Sequence, residues 1–412
     1  MRRFVVDSAY LGTDRHVLVE VDGFHLSHSI PRDAWHLDGS LKGSPTSKCL
    51  DTLLKLDGRV PPTVPEIFRN ALASLLSNED VLVPWRHVLP KKQFRIFFEN
   101  VITDTRSAFP GLPFDYYETV WVAGSRVLSA LRPASVDPGT FQSFVSGPGS
   151  SAPGLESFRP KRSGFAHPVV YDRFGTRTGR LTVSEGPNVL VLKREMRRML
   201  RSSFPGGSVV SLDFRALEAR VVLAEAGRPS PRGDLYSDVA ESIFGGKVPR
   251  DSVKTAVLAE LYGASRGALR ARLGVSDDVL DSFIGGIRGH FAVSQLRDRL
   301  TEQATGGRIT SRFGRPVPLP NADPALLVNS FAQSTGADVA ILGFDSVLRR
   351  LGTDGIRPLF LLHDAIVLDV RSDRLKDVKE CSEVEVPTYE NSFPLKLEMM
   401  SMGEHSSSDV VS

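Results

Sequence analysis

“RPLFLLHDAIVLDV”, Arg357–Val370, sets a histidine and an aspartate between two apolar runs. The pattern predicts two strands, Leu359 to Leu362 and Ile366 to Val370, joined at a bend occupied by His363 and Asp364. A carboxylate at the bend of a buried hairpin is costly unless something nearby compensates its charge. The rest of the chain has to supply that compensation.

A second carboxylate stands in a similar setting. “GSVVSLDF” is a short apolar, β-branched run that ends in Asp213, and “RALEARVVLAEAG” after it has helical spacing with Gly227 as its stop. Either aspartate alone reads as a turn-former or helix cap. If the two strands are neighbours, both carboxylates meet at one sheet edge, where their repulsion is relieved by divalent cations. Between them, “RDSVKTAVLAELYG” places Arg250, Lys254, Leu258 and Tyr262 at every fourth position, close to one helix face. Two cations one turn apart suit a polyanion such as a nucleoside triphosphate, with arginine as a planar fork and lysine as a point charge. The plain alternative is a solvated basic stripe beside a core tyrosine.

The 412 residues, 41% hydrophobic and 24% charged, suffice for two or three domains or subdomains. A net charge of +3 names no partner, but its distribution is uneven. The segment Arg159–Arg201 holds Arg159, Lys161, Arg162, Arg173, Arg177, Arg180, Lys193, Arg194, Arg197, Arg198 and Arg201 against Asp172, Glu185 and Glu195, as expected where a polyanion lies. Cys49 and Cys381 are too few for a disulfide framework, and no apolar run is long enough for a membrane span. A cytoplasmic location is expected.

Along the chain, strand-like “RFVVDSAYL” and “RHVLVEVDG” open residues 1–150. Helical spacing follows in “VPEIFRNALASLLSNED”, “KKQFRIFFENVI” and “ETVWVAGSRVLSAL”. Gly, Pro and Ser crowd between Ser146 and Gly164, so 151–164 is expected to be a flexible linker. “SDDVLDSFIGGIRGHFAVSQLRDRLTEQAT” predicts one or two helices, capped at Ser276 and interrupted at Gly285 and Gly286. “GGRITSRFGRPVPLP” predicts a hairpin turning at Gly314, “PALLVNSFAQSTGADVAILGFDSVLRRLG” a long helix, and 404–412 a disordered tail. Strands interspersed with helices give an α+β class.

“TGRL” at Thr178, “DFRALEAR” at Asp213, “RDSVKTAVLAELYG” at Arg250, “NSFAQSTGAD” at Asn329 and “LLHDA” at Leu361 stand in one order. Together they resemble the polymerase domain of family A DNA polymerases, the group of DNA polymerase I and related phage enzymes. The resemblance covers roughly Phe165 to Gly403, with “FPLKLEMMSMGE” similar to the final palm strand. It implies a right-hand fold: an antiparallel palm sheet and helical fingers (about 228–310) within 165–403, and a helical, thumb-like N-terminal region. It implies a template-dependent DNA polymerase in which Asp213, Asp364 and the backbone carbonyl of Phe214 hold two Mg²⁺, with Mn²⁺ a substitute. Lys254 would contact phosphate and protonate the leaving pyrophosphate, Arg250 would bind the outer phosphates, and Leu258 would face the sugar. Glu218 would exclude a ribose 2′-hydroxyl, and Tyr262 would stack near the templating base and bond Glu218. Arg180, Asn329, Gln333 and His363 would meet the primer terminus and the minor-groove edge of the nascent pair.

Three positions depart from the family pattern: Leu258 for an aromatic residue, Ala365 for Glu, and Ala325 for Arg. “VVDSAYL” offers Asp7 without the paired Glu of a proofreading site, so no 3′ to 5′ exonuclease is expected. The expected partners are primed DNA template and dNTPs, with replication proteins or a processivity factor, for a monomer of a phage or plasmid replicon. An RNA polymerase, or one that also copies RNA, and an inactive nucleic-acid-binding replication scaffold are the rival readings.

Overall fold

The computed structural model describes residues 3–6, 11–29, 31, 35–36, 66–67, 85–111, 113–147, 150–304, 306–319 and 326–402. The helix read between Val64 and Asp80 lies outside these residues, Glu66 and Ile67 apart, as do Asp7, Cys49, Ala325 and the tail 404–412. The chain divides into two compact units, Met1–Arg126 and Val127–Ser412. In the first, His16–Glu20 pairs antiparallel with Phe4–Val6 and Gly23–Ser27, and Trp35–His36 joins Phe4–Val6 in parallel. Helix Lys91–Ala108 contributes buried Phe97, Val101 and Ile102. The two strand-like segments expected near the start of the chain thus form strands, joined by Gly23–Ser27 and Trp35–His36 in one sheet.

In the second unit the hairpin pairs Ile356–Leu362 with Ala365–Val370. Its two-residue loop turns at His363, whose left-handed φ of 53° fits the first position of a tight hairpin turn. The hairpin forms one side of a five-stranded antiparallel sheet, ordered Ile356–Leu362, Ala365–Val370, Ser208–Phe214, Phe393–Met402 and Glu383–Val384. Ile356–Leu362, Ala365–Val370 and Ser208–Phe214 are nearly continuous apolar runs because both their faces are covered over most of their length. On one face Phe214 packs its ring 5.7 Å from Phe344 of the long helix Leu327–Leu351. Gly343 permits this approach, since a Cβ there would lie 2.5 Å from the Phe214 ring.

On the other face Val209, Ala365 and Val367 join a core with Leu155, Phe158, Met196 and Met199. Leu155 and Phe158 are wholly buried. The segment 151–164, expected to be a flexible linker, is thus anchored by two apolar residues set among its glycines and prolines. At the sheet edge, the Tyr171 hydroxyl donates to Leu361 O and accepts from Leu361 N, both at 2.8 Å. It completes the hydrogen bonding of a strand that has no neighbour on that side.

The helices that follow the central strand pack on one another and on the long helix. Leu217–Glu225 follows the central strand, then come Leu235–Phe244 and Arg250–Tyr262. The helix expected to break at Gly285 and Gly286 runs unbroken from Asp277 to Phe291 and turns at Ala292, whose φ is 47°. Gly286 instead lets the helix Leu235–Phe244 come close: a Cβ there would meet Ile243 at 3.0 Å and Phe244 at 3.3 Å. Ser276 occupies the cap position without making a side-chain cap bond. The predicted hairpin forms from Arg308–Thr310 and Pro316–Pro318, with Gly314 at φ 86° in its turn.

Candidate active site

The register of three strands decides the site. Asp213 pairs across the sheet with Ala365, so Asp364, one residue earlier, stands beside Phe214, whose N–H donates to Asp364 O at 3.0 Å. Both carboxylates line one cavity of about 560 Å³. Arg180, Phe214, Glu218, Arg250, Lys254, Leu258 and Tyr262 line it as well. The hairpin and the basic helix, far apart in sequence, thus face a common space.

Burial, the neighbouring Asp364 and Glu398 push the Asp213 carboxyl up to about 7, against Lys396 and Arg194. Burial raises Asp364 too, with Arg180 and His363 opposing. Two desolvated carboxylates that resist ionisation side by side have the chemistry of a cation site. Among the described residues no group of three or more His, Cys, Asp or Glu side chains is arranged to hold a metal. A pair of carboxylates with a backbone oxygen suits Mg²⁺, which keeps several waters and shares the phosphates of its substrate. Phe214 can offer that oxygen, because its ring is turned into the core and the residue still lines the cavity.

Glu218 lies in the first turn of helix Leu217–Glu225 and is buried. It accepts hydrogen bonds from Arg180 Nη2 and from the Tyr262 hydroxyl. Burial and this bond to Glu218 raise the Tyr262 pKa above its usual range. Arg180 is delivered by Gly179, whose φ of 78° lets the chain cross Arg315; a Cβ there would lie 1.6 Å from Arg315 Nη1. Arg315 is in turn clamped to the fully buried Asp338 of the long helix, Nε to Oδ1 at 2.9 Å, and Ser311 Oγ donates to the same carboxylate at 2.7 Å.

On the basic helix, Arg250 forks onto Asp234 at 2.8 and 3.0 Å and stacks over the Tyr236 ring at 5.4 Å. That pairing holds Asp234 well below the usual carboxylate range. Lys254 makes no ion pair among the described residues. His363 is solvent-exposed at the bend, and partial burial with the charges of Arg180 and Arg197 lowers its pKa, against Asp364. Asn329 and Gln333 lie half-buried one turn apart on the long helix, with Asn329 Oδ1 unbonded. These last three do not line the cavity.

Among the polar and charged lining residues, sequence reasoning missed Arg215, Asp234, Tyr236, Lys396 and Glu398. Asp234 carried a legible signal as an acidic residue before a helix, and it does cap Leu235–Phe244 by accepting from Ser237 N. The loop that brings it to Arg250 is fixed by Arg220, 1% exposed, which donates to the carbonyls of Arg215, Pro231 and Gly233 at 2.6 to 2.8 Å. Nothing local in the sequence reveals that role.

A family model described as DNA polymerase family A matches residues 154–406. Curated relatives include DNA polymerase I of Chloroflexus aurantiacus, 26% identical over 279 residues, 60% of this chain and 29% of the relative. A thermostable DNA polymerase I of Thermus aquaticus is 27% identical over 270 residues, 58% of this chain and 32% of the relative. The DNA polymerase of Mycobacterium phage D29 is 25% identical over 185 residues, 41% of this chain and 30% of the relative. These matches span about a third of each relative's length or less. Among solved structures, the polymerase domain of Pol1 from M. smegmatis, in complex with DNA primer-template and dNTP, superposes with a TM-score of 0.61 at 14% identity, covering 93% of this chain and 91% of that one. The likeness extends the α+β polymerase-domain fold to this chain.

Proposed function

The chain belongs to DNA polymerase family A, and we propose that it extends a primer 3′-hydroxyl with dNTPs on a DNA template by phosphoryl transfer. The observation that carries this reading is the single cavity in which Asp213 and Asp364 face Arg250 and Lys254. Asp213 and Asp364, with the Phe214 carbonyl, would hold two Mg²⁺ ions. When bound, these supply charge neutralisation and lower the pKa of the attacking hydroxyl. Phosphoryl transfer otherwise asks the protein for in-line positioning and electrostatic stabilisation.

The chain's own groups divide that work. Arg250, whose Nε and Nη2 meet Asp234 and whose Nη1 meets Asp251, would exchange these carboxylates for the outer phosphates of the incoming nucleotide. Lys254, with no competing carboxylate among the described residues, contacts the phosphates and gives its Nζ proton to the leaving pyrophosphate. Leu258 and Tyr262 border the sugar and base on the same face. Glu218, held from two sides, fills the space that a ribose 2′-hydroxyl would need, which favours dNTPs over rNTPs. Arg180, Asn329, Gln333 and His363 meet the primer terminus and the nascent pair, testing shape through acceptors common to all correct pairs. Residues 228–310 act as fingers. Residues 1–150 would supply no proofreading site of their own.

Primer extension with Mg²⁺ and dNTPs on a primed DNA template tests this directly. The parent protein is expected to extend the primer, with Asp213→Ala and Asp364→Ala each at least about a thousandfold slower, as expected when charge neutralisation at the reacting centre is lost. Substitution without loss of rate removes the two-carboxylate mechanism. Duplex binding with no extension under any divalent metal favours the scaffold reading.

A further inference from the structure

The strand Phe393–Met402 carries two charges for which the catalytic scheme above has no task. Lys396 is the register partner of Asp213, and Glu398 is that of Ser211. Side chains alternate along a strand, so both stand on the sheet face that bears Asp213. Both also line the cavity that holds Asp213 and Asp364. Lys396 Nζ lies 2.6 Å from Glu398 Oε1, and Arg194 Nη2 lies 2.8 Å from Glu398 Oε2. On the opposite side of Asp213 the cross-strand residue is Ala365, which brings no charge. Asp213 therefore sits between a methyl group and an ammonium that is held by a different carboxylate.

We propose that Lys396 and Glu398 set the divalent-cation affinity of the Asp213–Asp364 pair, the ammonium weakening it and Glu398 strengthening it by holding that ammonium back. The inference rests on the reading that these aspartates bind divalent cations, and it adds the last strand to the site. Directly opposed residues of antiparallel strands have Cβ atoms about 5 Å apart, near enough for an ammonium to compete with a cation for the same carboxylate. Two partners two residues apart on one strand face can reach each other, and here they do. With Glu398 neutralised, the ammonium is left to pair with Asp213 across the strands. The Lys396 side chain is 53% exposed, so solvent and salt moderate the effect to a few-fold change.

The test is Mn²⁺ binding to the full chain, without DNA or nucleotide, followed by electron paramagnetic resonance at fixed ionic strength. Lys396→Met is expected to bind about threefold or more tighter than the parent, and Glu398→Gln weaker by a similar factor. The double variant returns towards the parent. Half-saturating Mg²⁺ in primer extension moves in the same directions. Both residues are partly exposed, and thermal melts verify that each variant folds. If Asp213→Asn abolishes Mn²⁺ binding while Lys396→Met and Glu398→Gln leave it unchanged, or shift it the same way, the proposal is overturned and the cation site stands. If Asp213→Asn binds Mn²⁺ as the parent does, the cation site itself is wrong.

Discussion

Glu218 is fixed by two donors from different parts of the second unit, Arg180 and Tyr262. A carboxylate so held cannot swing aside to admit a bulkier sugar without breaking charge-assisted bonds. Glu218→Ala is expected to raise rNTP incorporation relative to dNTP by about tenfold or more, measured as the ratio of kcat/KM values, because the steric block is gone. An unchanged ratio would sink the assignment of Glu218 as the sugar gate. Asp213 gives a second prediction at this scale. Its carboxyl titrates at about 7 in the folded chain against an ordinary aspartate value of 3.8. Between those values the folded state keeps a proton that the unfolded chain has lost, so the associated stability is present at low pH and fades as pH rises towards 7. Asp364 is shifted in the same direction. In chelator, Asp213→Asn should therefore gain thermal stability over the parent as pH is raised through this window. A melting difference that stays flat with pH contradicts the assignment.

At the scale of elements, small features hold the site-bearing strands in place. Glycine at 343 admits the Phe214 ring against the long helix, which fixes the residue next to Asp213. Tyr171 closes the outer edge of the hairpin by serving both backbone groups of Leu361. Tyr171→Phe would orphan a buried donor and a buried acceptor, so a loss of about 1 to 3 kcal/mol is expected in denaturant unfolding. Loss of less than a few tenths would mean that water replaces the hydroxyl there. Periodicity made most of these elements legible. The break at Ala292 was not, because glycines at 285 and 286 look like stops although one of them serves close helix packing. The packing of 151–164 was equally hidden, since composition speaks of flexibility while two apolar residues decide burial.

At the scale of the whole molecule, a modest net charge conceals a strongly basic stretch. Of the cations between Arg159 and Arg201, Lys161, Arg162, Arg177 and Lys193 are exposed and have no acidic partner among the described residues. Such cations bind a polyanion by releasing its counterions. Affinity for primed DNA should fall steeply with salt, and Lys161→Ala with Arg162→Ala should flatten the slope of log K against log salt by roughly 0.9 for each phosphate that is no longer neutralised. Binding that is insensitive to salt would exclude this stretch as the DNA path.

The sequence by itself determined most of the local facts: which strongly periodic segments are strands or helices, which residues can carry charge or coordinate a cation, and that Arg250, Lys254, Leu258 and Tyr262 share a helix face. Tertiary structure alone decided that Asp213 and Asp364 stand at one edge, that Lys396 opposes Asp213, and that Arg220 ties down the loop bearing Asp234. The reason is physical. Periodicity is written into neighbouring residues, whereas strand register is set by hydrogen bonds between distant segments, and a one-residue slip of Phe393–Met402 would turn Lys396 and Glu398 away from the face that bears Asp213.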